Sequence, residues 1–253
     1  MENPNESAVL TLEIAQRLAE QLDFMKLQPK KILNLGDEFE SNTRLLRQRY
    51  PQAEVITAGM IADVPALLAA VRDETFDLVF ANLSFIFIVD LPAMFTAIRR
   101  SLNPKGLFLF STMGPDTLKE LKQCSAAIDN KIYVQPFVDM HNVGDALLQQ
   151  GFLDPVMTME QLTVAYTDVV TLFHDLRFMR REYQFNGEQG LLGKTCWQRF
   201  LHMYEQYRNE DNLIPATFEV VYGHAWNTIM QTEKVNAQNE VLIPVSKIQK
   251  FNH

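Results

Sequence analysis

The sequence predicts an α/β domain built on a doubly wound, mostly parallel sheet. Two observations carry this. Short apolar runs such as "KILNLG", "FDLVFANLS" and "LFLFSTM" alternate with amphipathic stretches of helical spacing. The runs are also near-continuous in apolar character, as strands covered on both faces by crossover helices must be. With 253 residues, 47% of them hydrophobic, the chain can bury one substantial core, so a single domain with an excursion is expected.

In chain order, Leu10, Ile14, Leu18 and Leu22 share one face of "SAVLTLEIAQRLAEQLDFM", which reads as an N-terminal helix within residues 1–29. "KILNLG" opens a core spanning 30–166. "SNTRLLRQRY" is a helix closed by Pro51, and the β-branched "AEVITAG" is the second strand of a βαβ unit. "VPALLAAVRDE" reads as helix, "FDLVFANLS" as strand, "LPAMFTAIRRSL" as helix, "NPKG" as turn and "LFLFSTM" as strand. "MHNVGDALLQQG" is a helix stopped by Gly151, and "PVMTMEQLTVAY" a strand pair or one long bent strand. Residues 167–212 show no strand pattern and form a helical insertion that includes "VVTLFHDLRFMRREY". Residues 213–253 hold a last strand, Thr217 to Trp226, expected in the edge region of the sheet, and a tail that is irregular or a docked strand.

A formal charge of −8 argues against nucleic acid as a partner, because phosphate neutralisation needs a basic surface. Cys124 and Cys196 lie far apart without His or Cys at ligand spacing, so no metal site and no disulfide is expected. No signal-peptide pattern opens the chain and no apolar run reaches the roughly 20 residues that span a bilayer, so a cytoplasmic protein that does not engage the membrane is expected.

"ILNLG…LLRQRYP", "FDLVFANLS", "DLPAMFTAIRRSLNPKGLFLFSTMGPDTLKEL", "VDMHNVGDALLQQGFLDPVMTMEQLTVAY" and "PATFEVVYGHAW", in that order, resemble the biotin-synthesis malonyl-acyl-carrier-protein O-methyltransferase family. The resemblance covers most of Lys30 to Trp226. It implies a class I methyltransferase, Rossmann-like sheet ending in an antiparallel strand, with the helical insertion before that strand shaping the substrate pocket. It also implies S-adenosylmethionine as cofactor and methylation of the free carboxylate of malonyl-carrier protein as reaction. A cousin of similar pattern hydroxylates an arginine, so the resemblance alone does not fix the chemistry.

The departures from the family all fall on the cofactor side. Its G-x-G-x-G loop lets backbone approach the cofactor closely. Here the first glycine is Gly36, the next two fall on Glu38 and Glu40, and the Asp two places before Gly36 is Asn34. The ribose-gripping acid at the end of the second strand falls on Gly59, and the short Met60–Thr75 segment lacks the third strand. Asn82 and Leu83 complete the vestigial cofactor set that the resemblance implies. Acids beside a helix N-terminus are themselves favourable by about 0.3–1 kcal/mol, which lets the fold keep them.

On the substrate side, Arg177, Arg180 and Arg181 form a basic cluster suited to an acidic carrier protein or a solvated helix face. Tyr204, Arg208, Tyr222 and His224 are candidates to line the acyl pocket and fix a carboxylate, or else core residues. Three readings stay open: an active methyltransferase on malonyl-carrier protein, a cofactor-free carrier-protein binder or partner of an active paralogue, and other chemistry on the same fold.

Overall fold

The structure is a computed structural model, and it describes residues 6–36, 40–58, 65, 67, 75–86, 90–127, 136–183 and 194–227, with side chains of 6–8 and 177–183 excepted. Helix α1 (Glu6–Glu20) continues into a 3-10 turn (Gln21–Phe24) and leads to β1 (Lys31–Leu35), α2 (Ser41–Arg49) and β2 (Glu54–Ala58). Then follow β3 (Phe76–Asn82), α3 (Leu91–Ser101) and β4 (Leu102–Met113). After these come α4 (Lys119–Ala126), α5 (Met140–Gln149), β5 (Phe152–Tyr166), α6 (Val169–Tyr183), α7 (Lys194–Tyr204) and β6 (Ile214–Asn227).

Among the described residues the sheet has six strands in the order β2-β1-β3-β4-β6-β5, the first four parallel and the last two antiparallel to their neighbours. The class I methyltransferase sheet predicted from the sequence is therefore present. The final strand, however, lies between β4 and β5, and β5 is the edge. The reason is the length of the β5–β6 ribbon, paired from Phe152↔Asn227 to Tyr166↔Ile214, which leaves β5 as one long strand with a bulge near Leu153 to Val156. The stretch predicted as the helix "VPALLAAVRDE" lies mostly outside the described residues, though Pro65 and Leu67 are helical. The tail from 228 on also lies outside them.

Side-chain alternation sends each strand into two cores. Leu78, Phe80, Leu107, Leu109 and Met113 meet α1, α4 and α7 residues such as Ile14, Leu121 and Phe200. Val79, Ala81, Phe108 and Phe110 meet Phe95 and Ile98 of α3 and Leu147 of α5. Each fully buried Leu or Phe contributes about 1.5–3 kcal/mol of transfer free energy. Asp90 caps α3 by accepting from the Ala93 N–H at 2.9 Å, and Asp139 caps α5 through the His141 N–H at 2.8 Å.

"NPKG" is not a free turn but a bulge within β4: Phe76 pairs with Leu102 and Leu78 with Leu107, so the looped-out residues face Asp77. The Asn103 amide donates to Asp77 at 2.8 Å, and that carboxylate also accepts from the backbone N–H groups of Lys30 (2.8 Å) and Lys31 (3.1 Å). Burial pushes the Asp77 carboxyl up, but these donors outweigh it and hold it below the usual carboxylate range. A single carboxylate thus ties β1, β3 and β4 together at their amino ends.

Candidate functional site

In a doubly wound sheet, ligands sit outside the carboxyl ends of the strands where the order reverses, which here is the crevice between β1 and β3. β1 runs out at Leu35 into Gly36, whose φ of +73° favours glycine, and whose N–H donates to the Ala58 carbonyl of β2 at 3.0 Å. A Cβ on Gly36 would lie 2.8 Å from Ser84 Oγ, so the contact with the Ser84 hydroxyl also requires glycine here. That hydroxyl donates to the Leu35 carbonyl at 2.5 Å, with the Asn82 carbonyl at 3.1 Å, clasping the ends of β1 and β3.

Asn34 is fully buried and its amide donates to Thr43 Oγ1 at 3.0 Å, which in turn lies 2.9 Å from Thr57 Oγ1 of β2. Asn82 donates to the Thr11 carbonyl of α1 at 3.1 Å and accepts from Ser111 of β4 at 2.7 Å. Leu83, at φ +53°, is fully buried, and its N–H reaches Ser111 Oγ at 3.0 Å. Glu40 precedes α2 in the left-handed region at φ +57° and makes no side-chain cap. Glu38 and Gly59 lie outside the described residues.

The family's cofactor can be tested against these groups. The backbone holds left-handed positions at Gly36, Glu40 and Leu83. The polar side chains around them are neutral amides and hydroxyls bonded to α1, α2 and neighbouring strands, and Glu40 brings a carboxylate. Set against the family's G-x-G-x-G loop, the described residues retain its first glycine at Gly36 and carry an acid, Glu40, in place of its third.

The other end of the site is built around the sequence "GPDTLKEL". Past β4, Gly114 donates to the Glu219 carbonyl at 2.9 Å, and a Cβ on it would collide with the Glu219 carboxyl. That nearly buried carboxylate accepts from the Asp116 N–H at 2.5 Å. Thr117 Oγ1 lies 3.1 Å from both the carbonyl and the N–H of Glu219, accepting from the latter. One turn on, buried Glu120 accepts from the Thr217 N–H at 3.1 Å and from the Thr217 hydroxyl. Two carboxylates thereby bind the loop after β4 to the start of β6. The sequence reading quoted this motif only as a family marker; the signal for a structural role was an acid, Glu219, inside the apolar strand "TFEVVY".

The substrate-side candidates separate. Tyr204 is fully buried among Phe200 and Tyr207, and its hydroxyl donates to the Pro215 carbonyl at 3.0 Å; burial pushes its phenol well above the usual range. Arg208 forks onto Glu205 (2.5 and 2.8 Å) and donates to the carbonyls of Thr167 (3.1 Å) and Asn212 (2.6 Å), closing the turn before β6. Tyr222 donates to Glu160 at 2.5 Å, and the same carboxylate takes Arg17 of α1 at 2.7 Å. Burial, then Glu160, push that phenol up as well. His224 shares the face of Tyr222 on β6, is half-buried, and burial pulls its imidazole below the ordinary value. The side chains of Arg177, Arg180 and Arg181 lie outside the described residues. Among those described, no three His, Cys, Asp or Glu side chains group as metal ligands, and no helix is long and apolar enough to cross a membrane.

Residues 33–110 match the family described as "Methyltransferase domain". The chain is 39% identical to a malonyl-[acyl-carrier protein] O-methyltransferase of Gallionella capsiferriformans, across 95% of this chain and 90% of the relative. It is 40% identical to malonyl-[acyl-carrier protein] O-methyltransferase 1 of Coxiella burnetii, across 94% and 88%. Among solved structures, a methyltransferase structure from Bacillus halodurans C-125 superposes with a TM-score of 0.53 over 85% of this chain and 100% of that one. At 11% identity, this is a likeness of fold.

Proposed function

Because the chain belongs to the malonyl-[acyl-carrier protein] O-methyltransferase family, we propose that its ligand is malonyl-acyl-carrier protein and its place biotin synthesis, where the reaction is methylation of the free malonyl carboxylate. The observation that carries this reading is the family-wide match together with the doubly anchored loop after β4, which presents a fixed surface at the carboxyl end of the sheet. This chain's residues would work by holding the acyl group in place.

The cofactor end carries the finer part of the proposal: S-adenosylmethionine binds far more weakly than in other class I methyltransferases, and methyl transfer is small. The carboxylate of Glu40 supports it, as do Glu38 and Gly59 in the sequence. Charge-assisted hydrogen bonds of about 1.5–3 kcal/mol each are forfeited where the family has acids. The same observations favour, as a second reading, a carrier-protein binder that partners an active paralogue.

Calorimetric titration with S-adenosylmethionine is expected to show affinity several orders of magnitude below the micromolar range. Single-turnover assays on malonyl-carrier protein are expected to give little ester. Glu38→Gly with Glu40→Gly and Gly59→Asp should raise the affinity. Micromolar binding by the wild type, with ester formed in one turnover, would overturn the weak-cofactor reading. Replacing Arg177, Arg180 and Arg181 together with Glu should weaken carrier-protein binding and flatten its salt dependence; unchanged affinity at low salt would return them to a solvated face.

A further inference from the structure

Lys122 has no part in the anchoring just described. It sits in the first turn of α4, and its ammonium reaches back over the loop after β4 to donate to the Pro115 carbonyl at 2.6 Å. Nζ lies 5.8 Å from the ring centroid of the nearly buried Phe137. Asp116 and Glu219 face it and favour its charge, yet burial outweighs them and pulls its pKa below the ordinary lysine value. Among the described residues it forms no ion pair within 4 Å, and the Glu219 carboxylate is already engaged by the Asp116 N–H. An ammonium has three N–H donors, and the described residues engage one of them. A half-buried cation against an aromatic ring stands where the sheet presents ligands.

Resting on the reading of malonyl-carrier protein as ligand, we propose that Lys122 receives the free carboxylate of the malonyl group, and that the Glu219 and Glu120 anchors hold the loop so that the ammonium stays at the carboxyl end of β4. The chemistry sets a specificity. The carboxylate makes short charge-assisted bonds to the ammonium, whereas the methyl ester offers only a neutral acceptor to a cation that has lost water. Lys122 thereby distinguishes the acid from its ester and favours release of the ester.

The test is calorimetric binding of the full chain to four forms of one acyl-carrier protein: malonyl, malonyl methyl ester, acetyl, and bare phosphopantetheinylated. Wild type is expected to prefer the malonyl form over its ester about tenfold or more, the size of one charge-assisted bond. Lys122→Met should abolish that preference while leaving ester binding within about twofold, and Lys122→Arg should retain most of it. A preference surviving in Lys122→Met and Lys122→Gln would overturn the assignment. Equal weakening of the bare carrier would overturn it in favour of the phosphodiester, and a wild type that binds all four forms alike would overturn it outright. A wild type that binds no form would remove the ligand reading as well.

Discussion

The two ends of the crevice are built on opposite rules. At the β1–β2 end, the backbone keeps left-handed positions at Gly36 and Glu40, and the side chains around them are amides and hydroxyls bonded to α2, β2 and strand-end carbonyls. At the β4–β6 end, two nearly buried carboxylates are each met by a backbone N–H from the opposing segment. At the first end, the exposed Glu40 stands at a helix start, outside the two apolar cores. At the second, the same acids that shape the site also close the fold. The contrast predicts that exchanging Glu120 costs the fold more than exchanging Glu40.

The sharpest way to break this contrast is Glu120→Ala. It strands the Thr217 N–H and hydroxyl in a buried site, with an expected loss of about 3 kcal/mol in chemical denaturation; a change under 1 kcal/mol would show the anchor to be dispensable. Gly36→Ala comes next. With φ at +73° and the Ser84 hydroxyl 2.8 Å from the new Cβ, it should cost about 2 kcal/mol. No loss would mean that this glycine serves only ligand approach.

Asp77→Asn lies at the amino ends of the strands, outside both regions, and should cost about 1–2 kcal/mol at neutral pH. Because the folded carboxyl is held below its ordinary value, its contribution is complete above about pH 4 and fades as pH falls through the folded pKa. Stability of the wild type should accordingly drop more steeply than that of Asp77→Asn in acid, and parallel pH profiles would contradict the hydrogen-bond geometry. The smallest effect belongs to Glu40→Gly. Relief at φ +57° offsets the greater freedom of glycine in the unfolded chain, for a net change within about 1 kcal/mol. A larger loss would give that carboxylate a structural task.

Apolar runs and Gly/Pro punctuation made the parallel half of the sheet legible, because β1, β3 and β4 are buried on both faces and are apolar over most of their length, while the edge strand β2 shows itself by its β-branched residues. The position of β6 was not legible: its alternation reports burial, and nothing in "TFEVVYGHAW" says which two strands flank it. Register with β5 decides that, and register is a tertiary property. Gly36, Glu40 and Asn34 could be placed at the end of β1 and the start of α2 from spacing alone. Ser84 could not, since its contact with Gly36 spans two strands and has no local signature. Arg208 and Tyr204 read as ligand-binding types, yet short-range geometry satisfies both inside the turn before β6. Lys122 lies one residue past "GPDTLKEL", and nothing local marks a lysine that folds back onto the Pro115 carbonyl.

The insertion of β6 between β4 and β5 also governs how the molecule can assemble. Until the chain has been made through Asn227, β4 and β5 each present an unpaired strand edge, and both must wait for the same late segment. Long-range pairings of this kind form slowly, and open edges are templates for intermolecular pairing in the interval. Chains shortened before Ile214 should therefore accumulate as aggregates rather than as a smaller folded unit. Delays in translating Ile214–Asn227 should lower soluble yield more than equal delays in translating Lys31–Leu35.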